Sequence, residues 1–581
     1  MKIPVRQYWA LLREYLAPQA PRVWLLALLI FAGIGMQLGV PQILRHFIDE
    51  AKTDSPLSVL FNAALLYLAL SIAQQAAGVT ATYVGQKIGW RATNGLRLDV
   101  ALHCLRLDMG FHNARTPGEL IEWIDGDVKN LATFFSDFVI RLLGNLVLLW
   151  GVLAILFYEH LWIGAAMTIY AGLALAGLVR FRGIAVPYWK EARQASADLF
   201  GYLEERLGGT VDIRSNGGVP YAMRNLYRHT GNRLQTELKA SVVTIRLRYL
   251  ITGVYSGGQI LAVILGYNLY REDAITLGTV VLILAYTDTL FRPLTQITRQ
   301  MEGLQKASAS IDRIAELLST ENAIIETATV AIPTGPWPVS FEHINFAYNE
   351  GDPVLKDVTF ELQAGRVLGL LGRTGSGKTT ISRLLLRLYD PDTGIIRVGG
   401  CDIRDAGISE LRSQVGLVTQ SVQLFAGTLR DNLTLFNRNL SDSRILEVIV
   451  DLGLDTWFGN LPKGLETPLK SDGSGISSGE AQLLAFARIF LRDPCLVILD
   501  EASAHLDPAT ETRIEHAVDR LLKNRTGIII AHRLSTVERT DDIIVLEGGR
   551  IEEAGERLAL AADKTSHFAR LLKTGLTEMV K

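Results

Sequence analysis

The chain has 581 residues, 49% of them hydrophobic, with 58 Lys and Arg against 60 Asp and Glu and a formal net charge of -2. That length exceeds what one hydrophobic core holds, so at least two domains are expected. The near-neutral balance excludes an electrostatic grip on nucleic acid, and the scattered Cys104, Cys401 and Cys495 exclude a disulfide framework or a cysteine zinc site.

Residues 1–20 lack the apolar core and cleavage site of a signal peptide. Trp9, Leu11, Leu12 and Leu16 oppose Arg6, Arg13 and Glu14, which reads as an amphipathic elbow helix on a membrane surface. Hydrophobicity is concentrated before about residue 300 and lifts the mean hydropathy to +0.22. Six apolar runs cover 23–44, 55–86, 140–158, 161–179, 249–270 and 274–294. Each is near or above the ~20 residues that cross a bilayer. Residues 21–318 are therefore expected to form an α-helical six-helix transmembrane domain embedded in a lipid bilayer.

Three connections are short and acidic or near-neutral (48–56, 159–160, 271–273), and two are long and Arg-rich (87–134, 180–248). The positive-inside rule places the long ones, the N-terminus and everything after about residue 300 on the cytoplasmic side. Stretches 87–105 and 188–207 keep helical periodicity, which predicts membrane helices that run on beyond the bilayer. They are expected to turn near 110–118 and 215–221, as tips placed to touch a cytoplasmic domain. Polar groups inside the runs are few, and Gln74, Gln75, Asn145 and Gln259 are candidate cavity liners. Asp288 and Arg292, spaced i, i+4 with Pro293 next, are either a functional pair or a self-neutralised one, and the spacing leaves both open.

After a linker at 319–338, residues 339–581 change to short strands, turns and helices. The segment GRVLGLL at 365–371 reads as a strand running into GRTGSGKTT at 372–380, a P-loop. Gly372, Gly375 and Gly377 let backbone N–H groups curl around phosphate oxygens, with Arg373, Thr374, Ser376 and Thr380 completing the turn. Lys378 is expected to reach the terminal phosphates and the Thr379 hydroxyl to ligate Mg²⁺. The following helix points its N-terminus at the same anion. Further on, ISSGEAQLLAFARIFLRDPCLVILDEASAHLD at 476–507 runs from a Gly/Ser turn through a helix into an apolar strand that ends at Asp500 and Glu501. Asp500 is expected to hold Mg²⁺ and Glu501 to polarise the attacking water. The cofactors implied are ATP and Mg²⁺.

In this order the segments resemble a known family. Residues 340–560 resemble the nucleotide-binding domain of ATP-binding cassette (ABC) proteins, an α/β P-loop NTPase. The resemblance implies that Tyr348, in INFAYNEGDPVLKDV, stacks on adenine. It implies that Gln420, in VGLVTQSVQLFAGTLRDNL, contacts Mg²⁺ and the membrane domain. Ser477 and Gly479 fall in the signature, 504–507 in the D-loop, and His532, in IIIAHRLST, at the γ-phosphate switch. The helices before them resemble the exporter type, multidrug or lipid. That implies a half-transporter of the plasma (inner) membrane. Two such chains sandwich two ATP molecules and export a small amphipathic molecule by alternating access; a peptide or specific metabolite is the alternative cargo.

The signature departs from the family's LSGGQ. Here it is ISSGE, with Ser478 for a glycine and Glu480 for a neutral amide, and the D-loop carries His505. A Cβ at 478 and a carboxylate at 480 are expected to hinder the approach of an ATP held by the other chain, unless Glu480 points away as a first-turn helix acid. The Walker segments, Glu501 and His532 keep the family pattern. The expectation is therefore a heterodimer whose partner carries LSGGQ, with one degenerate site; a homodimer with two weakened sites is the alternative.

Overall fold

The structure is a computed structural model that describes residues 13–53, 55–137, 144–326, 330–349, 351–470, 475–500, 508–531 and 534–573. It divides into two compact units. One comprises residues 1–105 and 116–320, and the other comprises 106–115 with 321–581. The elbow helix falls mostly outside the described residues.

The first unit is built of long helices: α1 (Ala20–Lys52), α2 (Leu57–Arg106), α3 (Gly144–Glu159), α4 (Leu161–Gly208), α5 (Val219–Arg271) and α6 (Leu277–Ser319). Among the described residues, five helices are long and apolar enough to cross a membrane, and Gly144–Glu159 is a shorter apolar helix. The start of the third apolar run, 140–143, lies outside the described residues. At 1.5 Å per residue α4 is about 72 Å long and α5 about 80 Å, well beyond a hydrocarbon layer of about 30 Å. The helical stretches at 87–105 and 188–207 are thus continuations of membrane helices.

Apolar side chains from α1, α3, α4 and α6, among them Ile34, Val152, Met167, Ile283 and Leu290, form one buried core. The ends bearing the short connections are tied by polar contacts. Arg45 pairs with Glu159 at 2.5 Å, and Asp49 accepts from the Thr276 hydroxyl at 2.7 Å and the Gly278 N–H at 2.9 Å. A Cβ at Gly278 would lie 2.5 Å from the Arg45 carbonyl oxygen, so α1 and α6 close on each other there only because that residue has none. Asn145 of α3 donates to Gln296 of α6 at 2.6 Å, and within α5 Gln259 donates to the Tyr255 hydroxyl at 3.3 Å. These two candidate cavity liners thus serve as inter-residue links. Toward the opposite end, Asp127 is fully buried and accepts from Ser310 at 2.7 Å and from the Arg313 guanidinium.

In the second unit, β1 (Val339–Ala347), β2 (Pro353–Leu362), β4 (Thr393–Val398) and β5 (Cys401–Asp402) make an antiparallel sheet in the order β2-β1-β4-β5. A second sheet contains β3 (Val367–Gly372), β6 (Val415–Val418), β7 (Leu496–Asp500), β8 (Thr526–Ile530), β9 (Asp542–Glu547) and β10 (Arg550–Glu556). Its order is β10-β9-β3-β8-β7-β6, parallel except at β9/β10. Strands β3 and β8 are buried at every position. That is why both read as nearly continuous apolar runs, with the buried Thr526 hydroxyl hydrogen-bonded to the Trp337 carbonyl: a parallel strand covered on both faces has no polar side. Two cores flank this sheet, one with Leu370, Ile381 and Ile498, the other with Phe486, Leu499 and Leu521.

Candidate nucleotide-binding site

Three neighbouring parallel strands end together. Ile530 of β8 pairs with Leu370 of β3 on one side and with Asp500 of β7 on the other. The P-loop that leaves β3 and the acid that ends β7 therefore share the C-terminal edge of the sheet, where open α/β sheets bind ligands. Val418 of β6 pairs with Leu499, so Gln420 leaves the same edge two residues later, exposed. Of the predicted site residues, Glu501, His532 and the D-loop lie outside the described residues.

Glycine sets the path of the P-loop. Gly372 has φ +146°, and a Cβ there would meet the Leu546 carbonyl oxygen at 2.2 Å. Gly377 has φ +106° at the N-cap of α7 (Lys378–Leu385), where a Cβ would lie 2.5 Å from Leu355 Cδ2. Lys378 is buried, and its Nζ donates to the carbonyls of Gly372 at 2.7 Å and Arg373 at 2.9 Å. The Ser376 hydroxyl is buried with no hydrogen-bond partner among the described residues. Arg373, Thr374, Gly375 and Thr379 are exposed around it. A glycine turn, a buried ammonium and an unsatisfied hydroxyl at a helix N-terminus form a receptor for a polyphosphate. The Thr379 hydroxyl and the Asp500 carboxylate are the oxygen donors that suit a divalent cation such as Mg²⁺.

Tyr348 stands beside this loop. Its hydroxyl lies 3.1 Å from Thr380 Oγ1 and accepts from Arg383 Nη1 at 3.0 Å. Its ring makes edge-on contacts with Phe346 at 4.9 Å and Tyr389 at 5.1 Å. The Tyr389 hydroxyl in turn accepts from Asn113 Nδ2 at 2.6 Å, and burial pushes that phenol above its ordinary range.

Asn113 closes the short helix Met109–Asn113, the first predicted tip, which belongs to this unit. Asp108 caps that helix, accepting the Phe111 N–H at 2.9 Å on one carboxylate oxygen and the Ala323 N–H at 2.9 Å on the other. Burial raises its pKa, but the N–H groups of Ala323, Phe111 and Gly110 outweigh burial and hold the carboxyl below the usual range. Sequence reasoning missed Asn113, Tyr389, Arg383 and Asp108. Only Asp108 carried a local signal, an acid three residues before the N–H it caps.

The signature segment forms the start of α8 (Ser478–Arg492). Ser477 is its N-cap, and Glu480 closes a capping box. The Ser477 N–H donates to Glu480 Oε2 at 2.7 Å, and the Glu480 N–H to Ser477 Oγ at 3.2 Å. Of the two orientations open for Glu480, the carboxylate takes the first-turn helix role. Ser478 is exposed, and Gly479 is buried beneath the turn. Ser478 is absent from the positive-φ residues, so the lost glycine costs the backbone nothing there.

Long membrane helices followed on the same chain by a P-loop α/β domain define an ATP-driven membrane transporter. The family model for the ABC transporter transmembrane region matches residues 23–294, and the ABC transporter model matches residues 355–504. The chain is 31% identical to the uncharacterized ABC transporter ATP-binding protein YknV of Bacillus subtilis (strain 168), over 98% of this chain and 94% of that protein. It is 29% identical to a fatty acid ABC transporter ATP-binding/permease protein of Mycobacterium tuberculosis (strain CDC 1551 / Oshkosh), over 90% of this chain and 81% of that one. Its fold matches the structure of a bacterial Atm1-family ABC exporter with ATP bound, with TM-score 0.79 and 24% identity over 97% of this chain and 100% of that one. The chain belongs to the ABC transporter family. It is a multi-pass membrane protein of the exporter type, with membrane and ATP-binding domains fused, and it couples ATP hydrolysis to transport.

Proposed function

We propose that this chain is one half of a heterodimeric exporter that drives a small amphipathic molecule out across the plasma membrane. The name of the fatty acid transporter relative supports an amphipathic cargo, and the apolar character of the membrane helices is compatible with one. The Arg-rich long connections support a cytoplasmic N-terminus and nucleotide-binding domain.

ATP binds at the edge of the β3-β8-β7 sheet. Tyr348 stacks on the base, and the P-loop N–H groups and the Ser376 hydroxyl take phosphate oxygens. Lys378 exchanges its two loop carbonyls for the terminal phosphates, which offer it a full negative charge. Thr379 and Asp500, with Gln420 nearby, would hold Mg²⁺, which would supply positive charge to offset that developing on the transferred phosphoryl group. Glu501 orients the water, and His532 contacts the γ-phosphate. ATP shifts the transporter toward a closed state because only that state lets a second chain's signature touch it.

The observation that carries the unlike partner is Ser478, exposed at the first position of the signature helix where the family has a glycine. A Cβ there crowds the approach of the other chain's phosphate to that helix N-terminus, and the Glu480 carboxylate, though turned back into the capping box, adds negative charge at the same end. The site completed by this chain's signature is the slow one. The site completed by its own P-loop, Asp500 and Glu501 is the fast one. Purifying the chain with and without its partner tests this, and full activity with two equal sites in a homodimer would overturn it. Glu501→Gln in the complex is expected to abolish most turnover while ATP still binds. Retention of most of the activity would move hydrolysis to the other site.

A further inference from the structure

A polar cluster interrupts the apolar faces of α5 and α6. The Tyr255 hydroxyl donates to Asp288 Oδ1 at 3.2 Å and receives the Gln259 amide at 3.3 Å. The Phe291 ring lies 5.0 Å from the Tyr255 ring. Arg292 stands one turn beyond Asp288, with Nη2 3.8 Å from Oδ2.

The cluster sits at membrane depth. Asp288 is eleven residues past Leu277 at the start of α6, about 17 Å at 1.5 Å per residue. Gln259 is twelve residues before Arg271 at the end of α5, about 18 Å by the same rise. Both distances fall near the middle of a hydrocarbon layer about 30 Å thick. The Arg292 side chain is 73% exposed and that of Asp288 48%. Charged side chains at this depth turn to a bundle interior or a hydrated cavity, because hydrocarbon does not solvate them. Such a cluster belongs on an interior or hydrated surface, away from hydrocarbon.

The two charges are not equally engaged. Asp288 accepts a hydrogen bond from Tyr255. The Arg292 guanidinium carries five N–H donors. Among the described residues it has a single ion pair, at a length beyond hydrogen bonding. A self-neutralised i, i+4 pair would be closer and less exposed. The unused valence is a planar cation, whose fork matches a carboxylate in bidentate fashion. Pro293 follows directly, and its missing N–H cannot hold the Thr289 carbonyl, so the helix lacks one backbone hydrogen bond beside the cluster.

We propose that Arg292, about 22 Å along α6 from its start, receives the carboxylate head of a single-tailed amphipath. Phe291 and Tyr255 frame the first carbons of its tail, and Asp288 steadies the guanidinium without competing for its outer donors. This rests on the amphipath reading and assigns that cargo its charge class.

The test uses the full-length chain, with whatever partner it purifies with, in lipid nanodiscs. Saturable binding of radiolabelled hexadecanoate above empty nanodiscs is measured, with methyl hexadecanoate and hexadecylamine as competitors. Hexadecanoate is expected to compete at least about tenfold better than its methyl ester, a comparison that needs no variant. Arg292→Gln should weaken the acid by a similar factor and leave the ester unchanged, Arg292→Lys should retain part of the affinity, and Asp288→Asn should leave it equal or tighter. Equal competition by acid and ester would overturn the proposal. So would strongest binding of the amine together with its loss in Asp288→Asn. In either case the amphipath reading survives, because an amphipath still binds. Absence of saturable binding by all three, with no stimulation of ATP hydrolysis by any, would remove the amphipath reading as well.

Discussion

The Ser477 backbone N–H donates to the Glu480 carboxylate at 2.7 Å and so closes the capping box at the start of the signature helix. The family's glutamine in that place offers a neutral oxygen of the same reach. Glu480→Gln should therefore keep the box and leave the melting temperature nearly unchanged, while Glu480→Ala should cost about 1 kcal/mol of stability. In the assembled transporter, Glu480→Gln should also raise turnover at the site this signature completes, because the charge at the helix end is gone. Site-resolved ATP trapping with vanadate reads this. An unchanged ratio between the two sites would show that Ser478 or the D-loop, and not the Glu480 charge, sets the difference.

The P-loop is braced from within before any nucleotide arrives, since Lys378 holds the carbonyls of Gly372 and Arg373. Lys378→Ala is predicted to cut ATP hydrolysis by about 100-fold or more, through lost phosphate contact. Gly372→Ala meets a backbone oxygen at 2.2 Å and cannot relax by moving a side chain. It should lower stability by about 2–5 kcal/mol, from overpacking and an unfavourable φ together. Scanning calorimetry with and without ATP separates the two: Lys378→Ala should lose the ATP-induced rise in melting temperature, and Gly372→Ala should melt early under both conditions.

How far the sequence reached depended on how local each determinant was. The order of the membrane helices was legible because an apolar run needs no partner to be recognised. The P-loop was legible because its glycines, Lys378 and the flanking strand and helix lie within one short segment. The direction of Glu480 stayed open between two orientations, although Ser477 and Glu480 stand at the S-x-x-E spacing of a capping box. By contrast, Asn113 meets Tyr389 across 276 residues and Asp108 meets Ala323 across 215. No periodicity marks either pair. The affiliation of residues 106–115 with the second unit was expected only as a general role for a helix tip. The atoms that fasten it come from tertiary structure alone.

Tyr348, the residue proposed to stack on the base, is linked to that fastening through its edge contact with Tyr389. Tyr348→Ala should weaken ATP binding by roughly tenfold, the cost of losing one aromatic platform. Tyr389→Phe keeps the ring packing and removes only the acceptor for Asn113, so it should cost about 1 kcal/mol of stability and change ATP affinity by less than about threefold. Fluorescent-nucleotide titration of the three proteins checks both. A large affinity loss in Tyr389→Phe would mean that the Asn113 contact positions Tyr348 directly.

Asp108 gives the same tip a dependence on pH. Its carboxylate accepts from Phe111 and Ala323 at once, and those bonds hold its pKa below the ordinary value despite partial burial. A carboxyl whose folded pKa is depressed stabilises the fold fully above its unfolded pKa, near 3.9. That contribution fades as pH falls from there through the lower folded value. The Phe111 and Ala323 amides should therefore keep their protection from exchange down to about pH 4 and lose it below. Asp108→Asn offers one acceptor oxygen in place of two. It should cost about 1 kcal/mol at neutral pH and flatten the acid response. Amide exchange at these two positions, corrected for the intrinsic pH dependence of exchange, provides the measurement. Unaltered protection in Asp108→Asn at pH 7, or protection that rises on acidification, would show that the carboxylate does not hold the tip in place.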